Sequence, residues 1–441
     1  MEFLTSWAQA NSIVVSATIL IVAYIFIATE KIPKMTIALV GASLTLLLGL
    51  LGQSQKVEGD IDPHYFINFV DFNVIFLLVS MMIIVSIATR SGIFNWVANE
   101  MLKKTKGHPK TILCCLAVFT AVASAFLDNV TTVILIMPVT FAIAKELDIN
   151  PIPFLITEVL ASNIGGTATL IGDPPNIIIG SAANFTFMDF IKELTLIVLI
   201  IMLVITTLMS FWFRKHLHST EENMAKVANL DNSNTIKDRA LMLRSIFVLF
   251  LVILGFVTHD ITHIQTCVCA MAGASILLLF EKPHEILHDV EWNTIFFFIG
   301  LFIIIGGFEA AGGIELMAKW LLDVTQGSQA IASYVILWGS GILSGIIDNI
   351  PYTATMAPML AEISATKGPV FAYPLWWALS LGACLGGNMT IIGAAANVIV
   401  SESSAATGYP IKFMEYLKYG VVVTFISLTL STCYVYLRFL A

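Results

Sequence analysis

Three aspartates lie deep within apolar sequence: Asp128, Asp173 and Asp348. Asp128 opens Asp128-Asn129-Val130-Thr131-Thr132, and Asp348 opens Asp348-Asn349-Ile350-Pro351, with Thr353 close behind. Asp173 sits in NIGGTATLIGDPPN, residues 163–176, inside an apolar segment near 154–182 that is long enough to cross a bilayer. A carboxylate at membrane depth marks a functional site by default. Around these acids stand hard oxygen donors: Asn129, Thr131, Thr132, Asn163, Thr167, Thr169 and Asn176, with the bare backbone of Gly166. Asn349, Thr353, Asn388, Thr390 and Asn397 supply a second set. Such donors suit sodium or another alkali cation rather than a soft metal. Asp128, Asn129 and Asp173 are the expected ligands of that cation. If Asp128 and Asp173 face one another, both cannot carry charge in a low-dielectric site without a cation, so cation uptake is coupled to proton release.

The elements that must position these groups are membrane helices. The chain has 441 residues, 58% hydrophobic and only 12% charged, where soluble proteins average about a quarter charged. An all-α polytopic membrane protein is expected. The net charge of −8 gives no footprint for nucleic acid. The six cysteines form no CxxC pair and read as buried thiols. No cofactor is expected beyond the sodium ion and proton as transported or coupling ions. Glycines, two prolines and an aspartate should break the helix at 163–176, which is tolerated only where backbone is packed in protein or lines a polar cavity.

Apolar runs at 111–127 with 130–144, and at 334–347 with 352–363, are too short to span. Each pair flanks an Asp-Asn and is expected to form a re-entrant hairpin, over 111–144 and 334–363. Two marginal spans joined by a buried turn would leave the topology parity unchanged. Segments 91–106 and 311–323 mix charge with apolar residues and suit amphipathic helices at the interface. Ten spans remain. With the N-terminus outside, only Lys56, Lys192, Lys319, Lys367 and Arg438 of the 22 basic residues stay outside, and the positive-inside rule selects that orientation.

The chain reads as two copies. An offset of 220 carries DFNVIFLLV (71–79) onto EWNTIFFFI (291–299), and Asp128-Asn129 onto Asp348-Asn349. An offset of 221 carries GGTATLIGDPPN (165–176) onto GGNMTIIGAAAN (386–397). The expected organisation is a first repeat over 1–213, with its broken helix at 154–182. A cytoplasmic linker follows at 214–244, then a second repeat over 245–441, broken at 373–400. Five spans per copy is odd, so the second enters the membrane inverted. Inverted repeats with paired broken helices mark secondary transporters with a midplane site. Asp173-Pro174-Pro175 becomes Ala394-Ala395-Ala396 in the second copy, which assigns the acidic site mainly to the first. No lysine or arginine is expected at the midplane.

Structural readings accompany these. Asp128 and Asp348 suit N-caps of the returning hairpin arms. The glycine pairs suit close helix packing. Glu158 and Glu309 lie near span ends and are expected to be solvated, and Arg90 to snorkel to the cytoplasmic surface. An intramembrane aspartyl protease would need GxGD, but Leu170-Ile171-Gly172 precedes Asp173, so no enzyme is expected. A passive channel shares the composition of a carrier.

The stretches FLDNVTT (126–132), NIGGTATLIGDPPNIII (163–179), DNIPYTATMAP (348–358) and LGACLGGNMTIIGAAANVIV (381–400) resemble the ion transporter superfamily. Within it they are similar to the branch of the P protein and the arsenite-permease/sodium–proton-antiporter type permeases. The resemblance covers about 35–435. It implies a scaffold domain that dimerises, a transport domain that moves as an elevator, and a site built from hairpin tips and broken helices. Dicarboxylate–sodium symporters of that superfamily carry Ser-Asn-Thr at both tips, which this chain lacks. Sodium (or lithium)/proton antiport is therefore the leading expectation. Coupled transport of an anion (arsenite, another oxyanion or a carboxylate) is the alternative. The expected setting is a bacterial inner membrane, with small ions, lipid and a second copy as partners.

Overall fold

The computed structural model describes residues 2–29, 31–51, 56–57, 60–61, 66–228 and 235–441. Helix follows helix, and β structure among the described residues is a two-residue antiparallel ladder, Lys56–Val57 with Asp60–Ile61. The first half carries α1 (Ser12–Thr29), α2 (Lys34–Leu47), α3 (Phe72–Arg90), α4 (Ile93–Lys104), α5 (Pro109–Phe126), α6 (Asn129–Leu147), α7 (Ile152–Gly166), α8 (Pro174–Ala183) and α9 (Phe187–Trp212). The second carries, in corresponding order, α10 (Arg239–Val257), α11 (Thr266–Leu278), α12 (Trp292–Ala310), α13 (Gly313–Val324), α14 (Gln329–Ser344), α15 (Asn349–Lys367), α16 (Pro369–Gly386), α17 (Ala395–Ala406) and α18 (Phe413–Val435).

Among the described residues nine helices are long and apolar enough to cross a bilayer: α1, α3, α5, α6, α9, α10, α12, α16 and α18 with its continuation to Leu440. Large side chains such as Leu203, Phe247 and Phe425 stay exposed on them, as lipid-facing surface requires. The protein is an all-α integral membrane protein. Several boundaries differ from expectation. The first hairpin arms are not too short: α5 has 18 residues and α6 has 19. At 1.5 Å per residue these helices run past their apolar centres into Pro109-Lys110 and Lys145-Glu146. Conversely α2 and α11, expected as full spans, are helical for only 14 and 13 residues. α10 starts inside the expected linker because the Asp238 carboxylate accepts from the N–H groups of Ala240 and Leu241.

The connection itself is docked. Its helix Glu221–Ala228 lies against α4 and α6, Ser219 donates to the Leu147 carbonyl (2.5 Å), and the Lys237 N–H donates to the Ser91 carbonyl (2.9 Å). Residues 229–234 of the expected linker lie outside the described residues.

Packing follows two rules. Within a half, α5 lies on α7 and α14 on α16. The approach is backbone to backbone: a Cβ at Gly165 would fall 2.2 Å from the Ala121 carbonyl oxygen, and one at Gly386 2.5 Å from that of Gly341. Between halves the partners cross, α2 on α12 with α11 on α3, and α6 on α17 with α15 on α8. Each returning arm also lies on the second half-helix of the other copy.

Candidate functional site

Both breaks are built alike. α7 stops at Gly166 and α8 starts at Pro174, while α16 stops at Gly386 and α17 starts at Ala395. Breaking a helix orphans carbonyls, and in each break one asparagine satisfies them. Asn176 Nδ2 donates to the carbonyls of Thr167 (3.1 Å) and Thr169 (2.9 Å), and Asn397 Nδ2 to those of Gly387 (2.7 Å) and Thr390 (2.8 Å). The Thr169 hydroxyl donates to the Ala125 carbonyl and the Thr390 hydroxyl to that of Gly345 (2.6 Å), pinning each break to its hairpin corner. Each hydroxyl also accepts from the third residue on, Gly172 N and Gly393 N, at 3.1 Å. These threonines hold backbone.

Asp173 is the N-terminal cap residue of α8 but makes no side-chain capping bond. Its carboxylate is fully buried and turns toward the asparagines. Asn129 Nδ2 donates to Asp173 Oδ1 (3.3 Å), and Asn349 Nδ2 donates to Oδ1 and Oδ2 (3.2 Å each). Asn129 Nδ2 also reaches Asn163 Oδ1 (3.2 Å), whose own Nδ2 donates to Asn388 Oδ1 and Asn397 Oδ1 (2.9 Å each). One amide chain therefore joins both corners and both breaks to a single carboxylate. Turning any of these amides over would present an oxygen in place of an N–H without moving backbone.

The other two aspartates do something else. Asp128 caps α6, accepting from Thr131 N (2.8 Å) and the Thr131 hydroxyl (2.5 Å), and no hydrogen bond joins it to Asp173. Asp348 accepts from Ile350 N (3.0 Å) and pairs with the Lys34 ammonium at 2.5 Å. In each Asp-Asn corner the aspartate caps and the asparagine reaches the centre. The expected face-to-face Asp128–Asp173 pair is not formed, because the cap geometry turns the Asp128 carboxylate back along its own helix. Lys34, expected on the cytoplasmic side, begins α2 and extends to the second corner. The hydroxyls of Thr167 and Thr353 bond back to the carbonyls of Asn163 (2.8 Å) and Asn349 (2.7 Å). Thr132 Oγ1 is buried without a partner, and Gly166 faces the Gly172 carbonyl across the break.

One further expectation is corrected. Glu158 is not solvated: α7 is buried from Pro153 to Gly166, and the Glu158 carboxylate accepts from the Thr140 hydroxyl at 2.6 Å. The part-exposed Arg90 pairs with the exposed carboxylates of Asp289 (2.8 Å) and Glu285 (3.2 Å). Residues that sequence reasoning passed over also reach the site. The hydroxyl of Ser380 (2.6 Å) and the thiol of Cys384 (3.5 Å) donate to Asn176 Oδ1. Tyr24 donates to the Pro351 carbonyl (2.6 Å) and bonds the Thr355 hydroxyl. Ser380, Cys384 and Asn388 recur every four residues, a helical-face signal that was available in the sequence.

A profile of the citrate-transporter family, CitMHS, matches residues 24–382. The protein belongs to the CitMHS family. An uncharacterized transporter of Mycobacterium bovis is 41% identical over 97% of this chain and 98% of its own. A 46 kDa membrane protein of Mycobacterium leprae is likewise 41% identical, over 97% of this chain and 99% of its own. The P protein of Sus scrofa is 30% identical over 98% of this chain, which spans 60% of that longer relative. The resemblance to the ion transporter superfamily and its P protein branch holds. The CitMHS chain also shares its fold with the Alcanivorax borkumensis YdaH transporter, at a TM-score of 0.57 and 12% identity over 92% of this chain and 99% of that one. It is a membrane transporter of the CitMHS family.

Proposed function

We propose that this transporter exchanges sodium or lithium for protons, and that Asp173 is the carboxylate on which the two compete. The observation that carries this reading is a fully buried carboxylate whose hydrogen bonds come from the neutral amides of Asn129 and Asn349. Among the described residues, the buried carboxylates in ion pairs are Asp348, with Lys34, and Glu193, with Arg438. Asp173 is in neither pair. A charged carboxylate away from water needs a proton or a cation, and the surrounding amides can offer oxygens to an alkali ion. Pro174 and Pro175 remove two N–H groups from the first turn of α8, which takes away donors that an anion would use.

The amide chain is contributed entirely by α6, α7, α15, α16 and α17 with the breaks beside them. This favours an elevator in which these elements move as one body past a frame of α1–α3 and α10–α12. Dimerisation through that frame, the inverted orientation of the second half, an N-terminus outside and a bacterial inner membrane complete the proposal.

A second reading retains the architecture and makes the substrate an anion such as citrate, another carboxylate, arsenite or another oxyanion. The family description supports it, as does α17, whose first turn keeps the N–H groups of Ala395 and Ala396. Ligand-dependent melting of the purified protein separates the two, because a ligand that binds only the folded state adds about 2.7 kcal/mol at a hundred times its Kd. Cation exchange predicts that sodium and lithium raise Tm while citrate and arsenite do not. The reverse pattern selects the anion.

A further inference from the structure

A polar cavity of about 170 Å³ opens between α3, α8 and the α10–α11 junction. Its polar lining includes Asn73, Ser181, Asn184, His259, Gln265 and Cys267, and no lysine, arginine, aspartate or glutamate lines it. Leu170 and Ile177 are part of its apolar lining. Leu170 lies three residues before Asp173 and Ile177 four residues after it, on the break and on the first turn of α8. Both are 4% exposed and lie on the two chain segments that flank Asp173. Leu170 is seated against α8 at Gly180, where a Cβ would fall 2.2 Å from Leu170 Cδ1.

The equivalent position in the second half is different. Asn293, which the offset of 220 pairs with Asn73, lines only a surface basin formed by residues 284–293. Nothing from the second break reaches it. The two corresponding positions therefore differ: the lining around Asn73 includes Leu170 of the first break, and the basin around Asn293 includes no residue of the second break.

We infer that the cavity between α3, α8 and the α10–α11 junction is the aqueous vestibule through which a partly hydrated monovalent cation reaches Asp173, with Leu170 and Ile177 as its gate. This rests on the proposed cation exchange. Neutral amide, hydroxyl and thiol groups can replace part of a hydration shell without trapping the ion, and the wall has no lysine or arginine to pair with a multiply charged anion, His259 being its one basic side chain. The vestibule opens on the face that carries the 184–186 and 258–265 turns, the outer face in the orientation set by the basic residues.

Cys267 is a built-in reporter. It is 6% exposed, and its thiol donates to Asn73 Oδ1 at 3.4 Å. The test treats wild type and Cys267→Ser in proteoliposomes with a cationic methanethiosulfonate, maps labelling by peptide mass and follows sodium-driven proton flux. The expected result is labelling of Cys267 with loss of flux in the wild type, while Cys267→Ser is insensitive to the reagent. A Cys267 that never labels, or that labels without loss of flux, overturns the vestibule. Flux absent before any reagent is added counts against the exchange reading instead. In that case Ser181→Trp, which plugs the cavity, is scored by whether it slows binding of sodium to the purified protein. An unchanged sodium binding rate overturns the vestibule independently of proton coupling.

Discussion

The amide of Asn349 donates to both carboxylate oxygens of Asp173, 176 residues away in the chain, at 3.2 Å. This contact brings the second hairpin corner onto the first break, and Asn129 of the first corner meets the same carboxylate. A single acid thus reports on the assembly of both halves. Asn349→Ala removes donors from a buried carboxylate, which costs about 1–3 kcal/mol. The expected outcome is a lowered Tm and a weakened sodium-dependent Tm shift. Asn129→Ala should act in the same direction.

Lys34 and Asp348 form the ion pair that joins α2 to the second corner. Breaking a buried pair by removing one partner costs about 3–5 kcal/mol, because a charge is left without compensation. The Asp348 side chain is 2% exposed while that of Lys34 is 24% exposed, so the loss should fall toward the lower end of that range. Lys34→Met should destabilise the protein, and adding Asp348→Asn should recover part of the loss. A double-mutant cycle on chemical denaturation reads the coupling.

The roles of the two corner aspartates separate in the same way. Asp128 is a helix cap, so Asp128→Ala should cost about 0.5–2 kcal/mol while Asp128→Asn stays close to wild type in stability. Exchange should survive in Asp128→Asn if the carboxylate that trades proton for cation is Asp173. Transport by the two asparagine variants, Asp128→Asn and Asp173→Asn, measured side by side, checks this division.

Spacing along the chain carried much of this arrangement. Asp-Asn corners and glycine breaks stand out because apolar helices do not tolerate them, and the offsets of 220 and 221 placed their counterparts. Direction was not legible. Asp128 and Asn129 are adjacent, and only the cap geometry decides which points to the centre. Thr169 and Thr390 resembled ligands because a hydroxyl that pins backbone and one that binds an ion are the same residue type. Glu158 was misplaced because position near the end of an apolar run was taken as exposure, whereas α7 is buried from Pro153 to Gly166.

Arg90 links α3 to the segment before α12, bonding Asp289 and Glu285. Burial pushes the Asp289 carboxyl up, but hydrogen bonds from Ser86 and Arg90 and the Arg90 charge outweigh it and hold the group below its ordinary value. Glu285 is lowered first by Lys282 and further by Arg90. A carboxyl lowered in the folded state adds stability above its unfolded pKa and loses it as pH falls through the folded value. Arg90→Gln should therefore lower stability at neutral pH and narrow the gap to wild type in acid. High salt should shrink the difference too. Melting curves across pH and salt measure both.

Sodium-loaded proteoliposomes diluted into sodium-free buffer, with a pH dye trapped inside, test the central claim most directly. The lumen should acidify as sodium leaves and protons enter, lithium should substitute for sodium, and Asp173→Asn should abolish the signal because an amide cannot release a proton. A lumen pH that does not respond to the sodium gradient, or that responds equally in Asp173→Asn, would contradict the account.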